Sequence, residues 1–163
     1  MRCLLLISLC LLLAGCEYTV PLVQNPGMQM DSDLIGLWER TESASSRHQA
    51  LVLPFDDTHY VFSYRTDPKE GAMAKASLVE CADMTLVQIE WMGSVKGKLP
   101  ENDRIYQYAS YTLEGDTLRV ALLNSAVVPK DVMSSAELRD TIEARQDHPD
   151  LFRPPMVFRR ISD

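Results

Sequence analysis

From Leu34 onward, apolar and polar positions alternate with a period close to two over most of the chain. Short segments rich in Val, Tyr, Phe, Thr and Leu recur between turn signals. They predict strands near residues 35–42, 49–55, 59–66, 73–81, 84–92, 104–113, 117–123 and 156–161. Several connections are tight. Asp56-Asp57-Thr58 can join the second and third strands, and Ala82-Asp83 the fourth and fifth. Glu114-Gly115-Asp116 is the clearest hairpin, because Gly115 adopts positive φ without steric cost. Residues 93–103 are polar, contain two Gly and one Pro, and read as a longer mobile loop. The pattern predicts a mainly β fold, an antiparallel eight-stranded meander that forms a barrel or a strongly curled sheet.

The period changes once, over about residues 134–147. Ser134 and Glu137 make a capping box, with Met133 placed to staple onto Leu138. Leu138 and Ile142 lie one turn apart and form a narrow apolar stripe, Arg139 and Glu143 can pair at i,i+4, and Pro149 stops the helix. So narrow a stripe predicts a helix laid on the outside of the sheet or across one mouth.

The amino terminus follows a different pattern. Arg2 precedes an apolar run from Cys3 to Leu13 that ends in Ala14-Gly15, the layout of a secretory signal. Eleven residues in a helix cover roughly 16 Å, about half of a bilayer's hydrocarbon core. Leu13-Ala14-Gly15-Cys16 resembles the lipobox of bacterial lipoproteins. That resemblance implies that residues 1–15 are a signal peptide, that Cys16 receives a diacylglyceryl group through its thiol, and that the new amino terminus is acylated, as by palmitate. Two or three chains anchor a protein stably where one does not. Glu17 follows the Cys, where Asp would favour inner-membrane retention in the enteric version of the family. The resemblance therefore implies an outer-membrane anchor facing the periplasm, or the cell membrane in a host with a single membrane. Residues 16–33 contain Pro21, Pro26 and Gly27 and no sustained period, so they read as a lipidated Cys with a flexible tether, leaving 34–163 as one β-rich domain.

Charge narrows the partners. Removing Arg2 leaves 15 Lys+Arg against 23 Asp+Glu, about −8, which argues against nucleic acid. Of four cysteines, only Cys81 would remain free in the mature chain, flanked by Val79 and Ala82 as a small core residue, with no His or cation nearby in sequence to activate it. His48, His59 and His148 have no metal-ligand spacing, and Asp56-Asp57 beside His59 reads as an acidic hairpin tip. No cofactor, metal or catalytic pair is legible, which points away from an enzyme. Tyr106 and Tyr108 share one strand face and are candidates to line a pocket.

Gly36-Leu37-Trp38 opens the first strand and resembles the Gly-x-Trp signature of lipocalins and the wider calycin group. In that group the Trp plugs one end of an antiparallel barrel and an Arg of a late strand lies against it. The resemblance thus implies Trp38 paired with Arg159 or Arg160. Alternation favours Arg160, on the face of Met156 and Phe158, with cation–π contact as the physical reason. The function expected is a lipid-anchored module binding a small apolar ligand. The alternative is an envelope protein that assembles with or inhibits another protein.

Overall fold

The computed structural model describes residues 17–43, 46–67, 69–95 and 104–161. The segment read as a signal, the lipobox-like Leu13-Ala14-Gly15-Cys16 and residues 96–103 of the expected loop lie outside them. Eight strands close into an antiparallel barrel in chain order: β1 (Gly36–Ser43), β2 (Ser46–Pro54), β3 (His59–Asp67), β4 (Glu70–Cys81), β5 (Met84–Ser94), β6 (Tyr106–Glu114), β7 (Thr117–Leu122) and β8 (Met156–Arg160). β8 shuts the barrel, with Phe158 opposite Leu118 on β7 and Arg160 opposite Trp38 on β1. Closure leaves no sheet edge to be protected. Two turns depend on left-handed backbone: Ala82 and Asp83 have φ of 53° and 58°, and Gly115 has φ of 57°.

The alternation puts Ala50, Phe62, Ala74, Ala76, Leu78, Ile89, Tyr111, Leu118 and Phe158 into one cluster inside the barrel, around Trp38. Small residues on β4 face aromatic ones on β3 (Ala74 opposite Phe62, Ala76 opposite Tyr60), which lets the layers interdigitate. A second cluster lies outside the wall, where Val79, Cys81, Leu86 and Tyr108 meet Leu138 and Ile142 of the helix α1 (Ser135–Glu143) and Leu123, Val128, Val132 and Leu151. This explains why β4 is buried on both faces from Ala76 to Val79.

Three expectations change here. Residues 17–33 are no tether: Glu17, Tyr18 and Leu22 are buried, and Tyr18 forms an isolated antiparallel bridge with Tyr106. Pro21 and Pro26 keep this stretch out of helix and sheet periodicity, yet Tyr18, Val20, Leu22 and Val23 still supply apolar surface that an extended chain can lay on the barrel. The folded body therefore includes residues 17–33 and does not start at 34. The helix is shorter than 134–147, passing into turns after Glu143, while Ser134 caps it through Glu137 N–H at 3.1 Å. Met133 does not staple onto Leu138. It is 80% exposed, and its N–H donates to Glu137 Oε2 at 2.8 Å.

Candidate functional site

One end of the barrel is plugged. The chain crosses it through Met28, Met30 and a short 3-10 turn, Ser32–Leu34, before entering β1. Trp38 sits beneath this crossing, fully buried, with its indole N–H donating to Leu34 C=O at 2.9 Å. The guanidinium carbon of Arg160 lies 4.2 Å from the Trp38 ring centroid, within cation–π range. That guanidinium also donates to Ile35 C=O at 2.7 Å and to Asp33 C=O, tying the crossing to β8. Gly36 makes room for it: its φ is +144°, and a Cβ there would lie 2.7 Å from Arg160 Nη1. Arg159 alternates to the opposite face, paired with Glu39 and Thr117.

A second set of bonds closes the same end, and nothing local in the sequence signals it. Tyr60 Oη accepts from Asp31 N–H at 2.6 Å and donates to Asp31 C=O at 3.1 Å, and Tyr111 Oη donates to Asp31 Oδ2 at 3.2 Å. Burial raises the Tyr60 hydroxyl, and burial with the Asp31 carboxylate beside it pushes Tyr111 up to about 12. Both phenols remain neutral donors well above physiological pH.

The other end differs. Among the described residues, every non-strand member of the inner cluster comes from residues 28–35, at the plugged end. Toward the opposite end, inward-facing Tyr64, Trp91, Val120 and Met156 are half-buried, as are Phe62 in mid-barrel and Val52 and Leu113 nearer the plug. Phe62 and Trp91 pack with centroids 5.4 Å apart, and Tyr64 meets Phe158 edge-on at 6.4 Å. His48, buried, shares a 2.7 Å hydrogen bond with Tyr64 Oη. Trp91 Nε1 is buried and, among the described residues, has no hydrogen-bond partner. A donor in that state is costly unless something accepts from it. This half of the barrel offers apolar walls with one unmet donor.

The tyrosines of β6 are not in it. Tyr106 and Tyr108 share a face, but pairing with Glu90 and Gln88 puts that face outside the barrel. Tyr108 is fully buried there, donating to Val20 C=O, and Gln88 Oε1 accepts from Leu22 and Val23 N–H at 2.8 and 3.0 Å. The segment read as a tether fills the space that a ligand would have needed. Beside Tyr106 lies a narrow crevice of about 60 Å³.

The remaining candidates make contacts within the fold. Asp56 accepts from Thr58 N–H at 2.9 Å and pairs with His59 Nδ1 at 2.8 Å; those bonds hold its carboxyl down to about 2 and lock the β2–β3 turn. Cys81 is buried in the outer cluster, and desolvation raises its thiol despite Arg139 nearby. His148 Nδ1 accepts from Asp150 N–H at 3.1 Å in the turn after α1. No family model matches the chain, and neither a curated protein nor a solved structure matches it.

Proposed function

We propose that the protein is a non-enzymatic cell-envelope lipoprotein, anchored in the outer membrane through acyl chains on Cys16, whose barrel binds a small apolar ligand on its periplasmic side. One observation carries the binding reading: among the described residues, no segment outside the strands joins the inner cluster at the end away from the Trp38 plug, where inward-facing Tyr64, Trp91, Val120 and Met156 stay half-buried. In a filled core such positions lose their solvent contact. The buried, unpartnered Trp91 Nε1 adds that the ligand carries one acceptor atom, a carbonyl or ether oxygen, among apolar carbons. The Gly36-Leu37-Trp38 resemblance to the calycin group points the same way.

Titration of the purified protein with N-phenyl-1-naphthylamine tests this. Probe emission is expected to rise on binding, with transfer from Trp91 that is lost in Trp91→Phe. No binding up to the probe's solubility, together with a native mass equal to chain plus acyl groups, overturns it. The anchor is tested separately: Cys16→Ser is expected to abolish incorporation of a fatty-acid analogue, and equal label on mutant and wild type refutes it.

A second reading, an envelope protein–protein contact, is favoured by the exposed apolar side chains Leu51, Leu53 and Phe55 of β2 and its turn. Binding of a protein partner that is lost in Leu53→Asp, with no uptake of the probe, would select it.

A further inference from the structure

The first described residues are fastened at one rim of the barrel. Glu17 N–H and Tyr18 N–H both donate to Tyr106 C=O, at 3.0 and 3.1 Å, and Tyr106 N–H donates back to Tyr18 C=O at 3.0 Å. Tyr18 Oη donates to Val128 C=O at 2.9 Å. The Glu17 side chain is 2% exposed, with Oε1 accepting from Arg153 Nη2 and from Ser125 Oγ at 3.2 Å. Tyr106 is the first residue of β6, at the end where β5 finishes, away from the Trp38 plug. Glu17 is one peptide bond from Cys16, a Cα step of about 3.8 Å. An acyl anchor on Cys16 would therefore have no tether between it and the folded body.

The same rim carries apolar side chains turned to solvent. Met73 is 49% exposed at the start of β4, and Met92 (45%) and Val95 (62%) stand at the end of β5. They form one patch: a bulge in the β4–β5 pairing at Met73 leaves Met92 outside the ladder, Val95 N–H donates to Gly71 C=O at 2.9 Å, and Trp91 N–H donates to Ile105 C=O, next to Tyr106, at 2.8 Å. Three exposed apolar side chains on this rim, one strand from the fastened terminus, suit insertion among lipid headgroups and the upper acyl region.

We propose that this rim lies against the lipid bilayer that holds the Cys16 acyl chains, so that the barrel stands on the membrane with its unplugged end down. The inference rests on the lipid-anchor reading and adds to it an orientation and a route: an apolar ligand would pass between bilayer and barrel interior without crossing water.

The test uses the full chain, processed by its bacterial host, purified and reconstituted into vesicles of phosphatidylethanolamine and phosphatidylglycerol. Single cysteines replace exposed residues, Met73→Cys, Met92→Cys, Val95→Cys and the far-end control Leu53→Cys; buried Cys81 stays silent. Each is labelled with a membrane-impermeant maleimide, in the native sequence and with a ten-residue Gly/Ser spacer inserted between Cys16 and Glu17, which adds roughly 18 Å of coil. Rim cysteines are expected to label at least tenfold more slowly without the spacer than with it, while Leu53→Cys labels equally in both. Equal rim labelling in both forms overturns the orientation. Protection in both forms also overturns it, since a second copy or another protein then covers the patch. Intact-mass measurement separates the two layers: a chain without added acyl mass refutes the anchor reading itself, whereas acylated protein with unprotected rims refutes only the orientation.

Discussion

The protein has two hydrophobic cores that were assembled in different ways. The inner one, around Trp38, is built from strands whose every second residue points inward, plus one crossing segment. The outer one, around Tyr18, Leu138 and Ile142, joins the outer faces of β4, β5 and β6 to one helix, the irregular chain on either side of it and a proline-containing amino-terminal stretch. The inner core follows from local periodicity, and each strand announces its contribution. The outer core has almost no local signature, because its parts are held by non-local bonds: Tyr108 to Val20, Gln88 to Leu22, Tyr18 to Val128. Core periodicity therefore identifies a barrel without identifying what wraps it.

The largest effect that would break this contrast is removal of residues 155–163. With β8 gone, the ladders to β7 and β1 both vanish and the inner core opens. The truncated chain is expected to lose cooperative unfolding and to aggregate, read by calorimetry and light scattering. If it melts like the intact protein, β8 is a tail and closure is not what stabilises the inner core.

Next come single truncations. Trp38→Ala should cost about 3–5 kcal/mol and broaden the whole unfolding transition, whereas Ile142→Ala should cost about 2–4 kcal/mol. The two differ in reach. Native-state hydrogen exchange in Ile142→Ala should rise mainly in residues 17–24 and 123–143, leaving β1–β3 protected. Uniform loss of protection would mean that the two cores fold as one unit and the division is only geometric.

Arg153→Ala and Arg160→Ala compare the ties of the two cores. Arg153→Ala leaves the Glu17 carboxylate buried without its cation and should cost about 2–3 kcal/mol, most of it regained in the Glu17→Gln/Arg153→Ala double variant. Arg160→Ala loses stacking on Trp38 and two bonds to carbonyls, for about 1–3 kcal/mol, together with altered Trp emission. A loss under about 0.5 kcal/mol would make Arg160 a solvated bystander. Denaturant titrations of all three variants decide both points.

The smallest effect is seen on raising the pH. Tyr18, Tyr60, Tyr106, Tyr108 and Tyr111 are all raised from the ordinary value near 10, chiefly by burial, with Tyr111 reaching about 12. The unfolded chain therefore releases these protons first. Stability is fully present below about pH 10 and declines as pH rises toward 12. Phenolate absorbance at 295 nm should appear together with loss of the β signal in circular dichroism. Phenolate absorbance appearing near pH 10 in a fully folded protein would place the tyrosines at the surface.

Local chemistry in the sequence reached as far as the strands, the turns at Ala82-Asp83 and Gly115, the Ser134 cap and the Leu138/Ile142 stripe, since each depends on residues within a few positions of one another. The pairing of Trp38 with Arg160 could be named from alternation and a tripeptide resemblance, but the reason for Gly36, room for a guanidinium from the far end of the chain, is a tertiary fact. Only the fold put Tyr106 and Tyr108 outside the wall. Alternation establishes that two residues share a face, whereas curvature and the segment packed against them decide which face is inside. The fold alone also turned residues 17–33 from an expected tether into part of the body, because Glu17 finds Ser125 and Arg153 more than a hundred positions away and Asp31 finds Tyr60 and Tyr111. Local patterns record what a residue prefers. Which partner meets that preference is set by closure of the barrel, which brings distant segments within hydrogen-bonding reach.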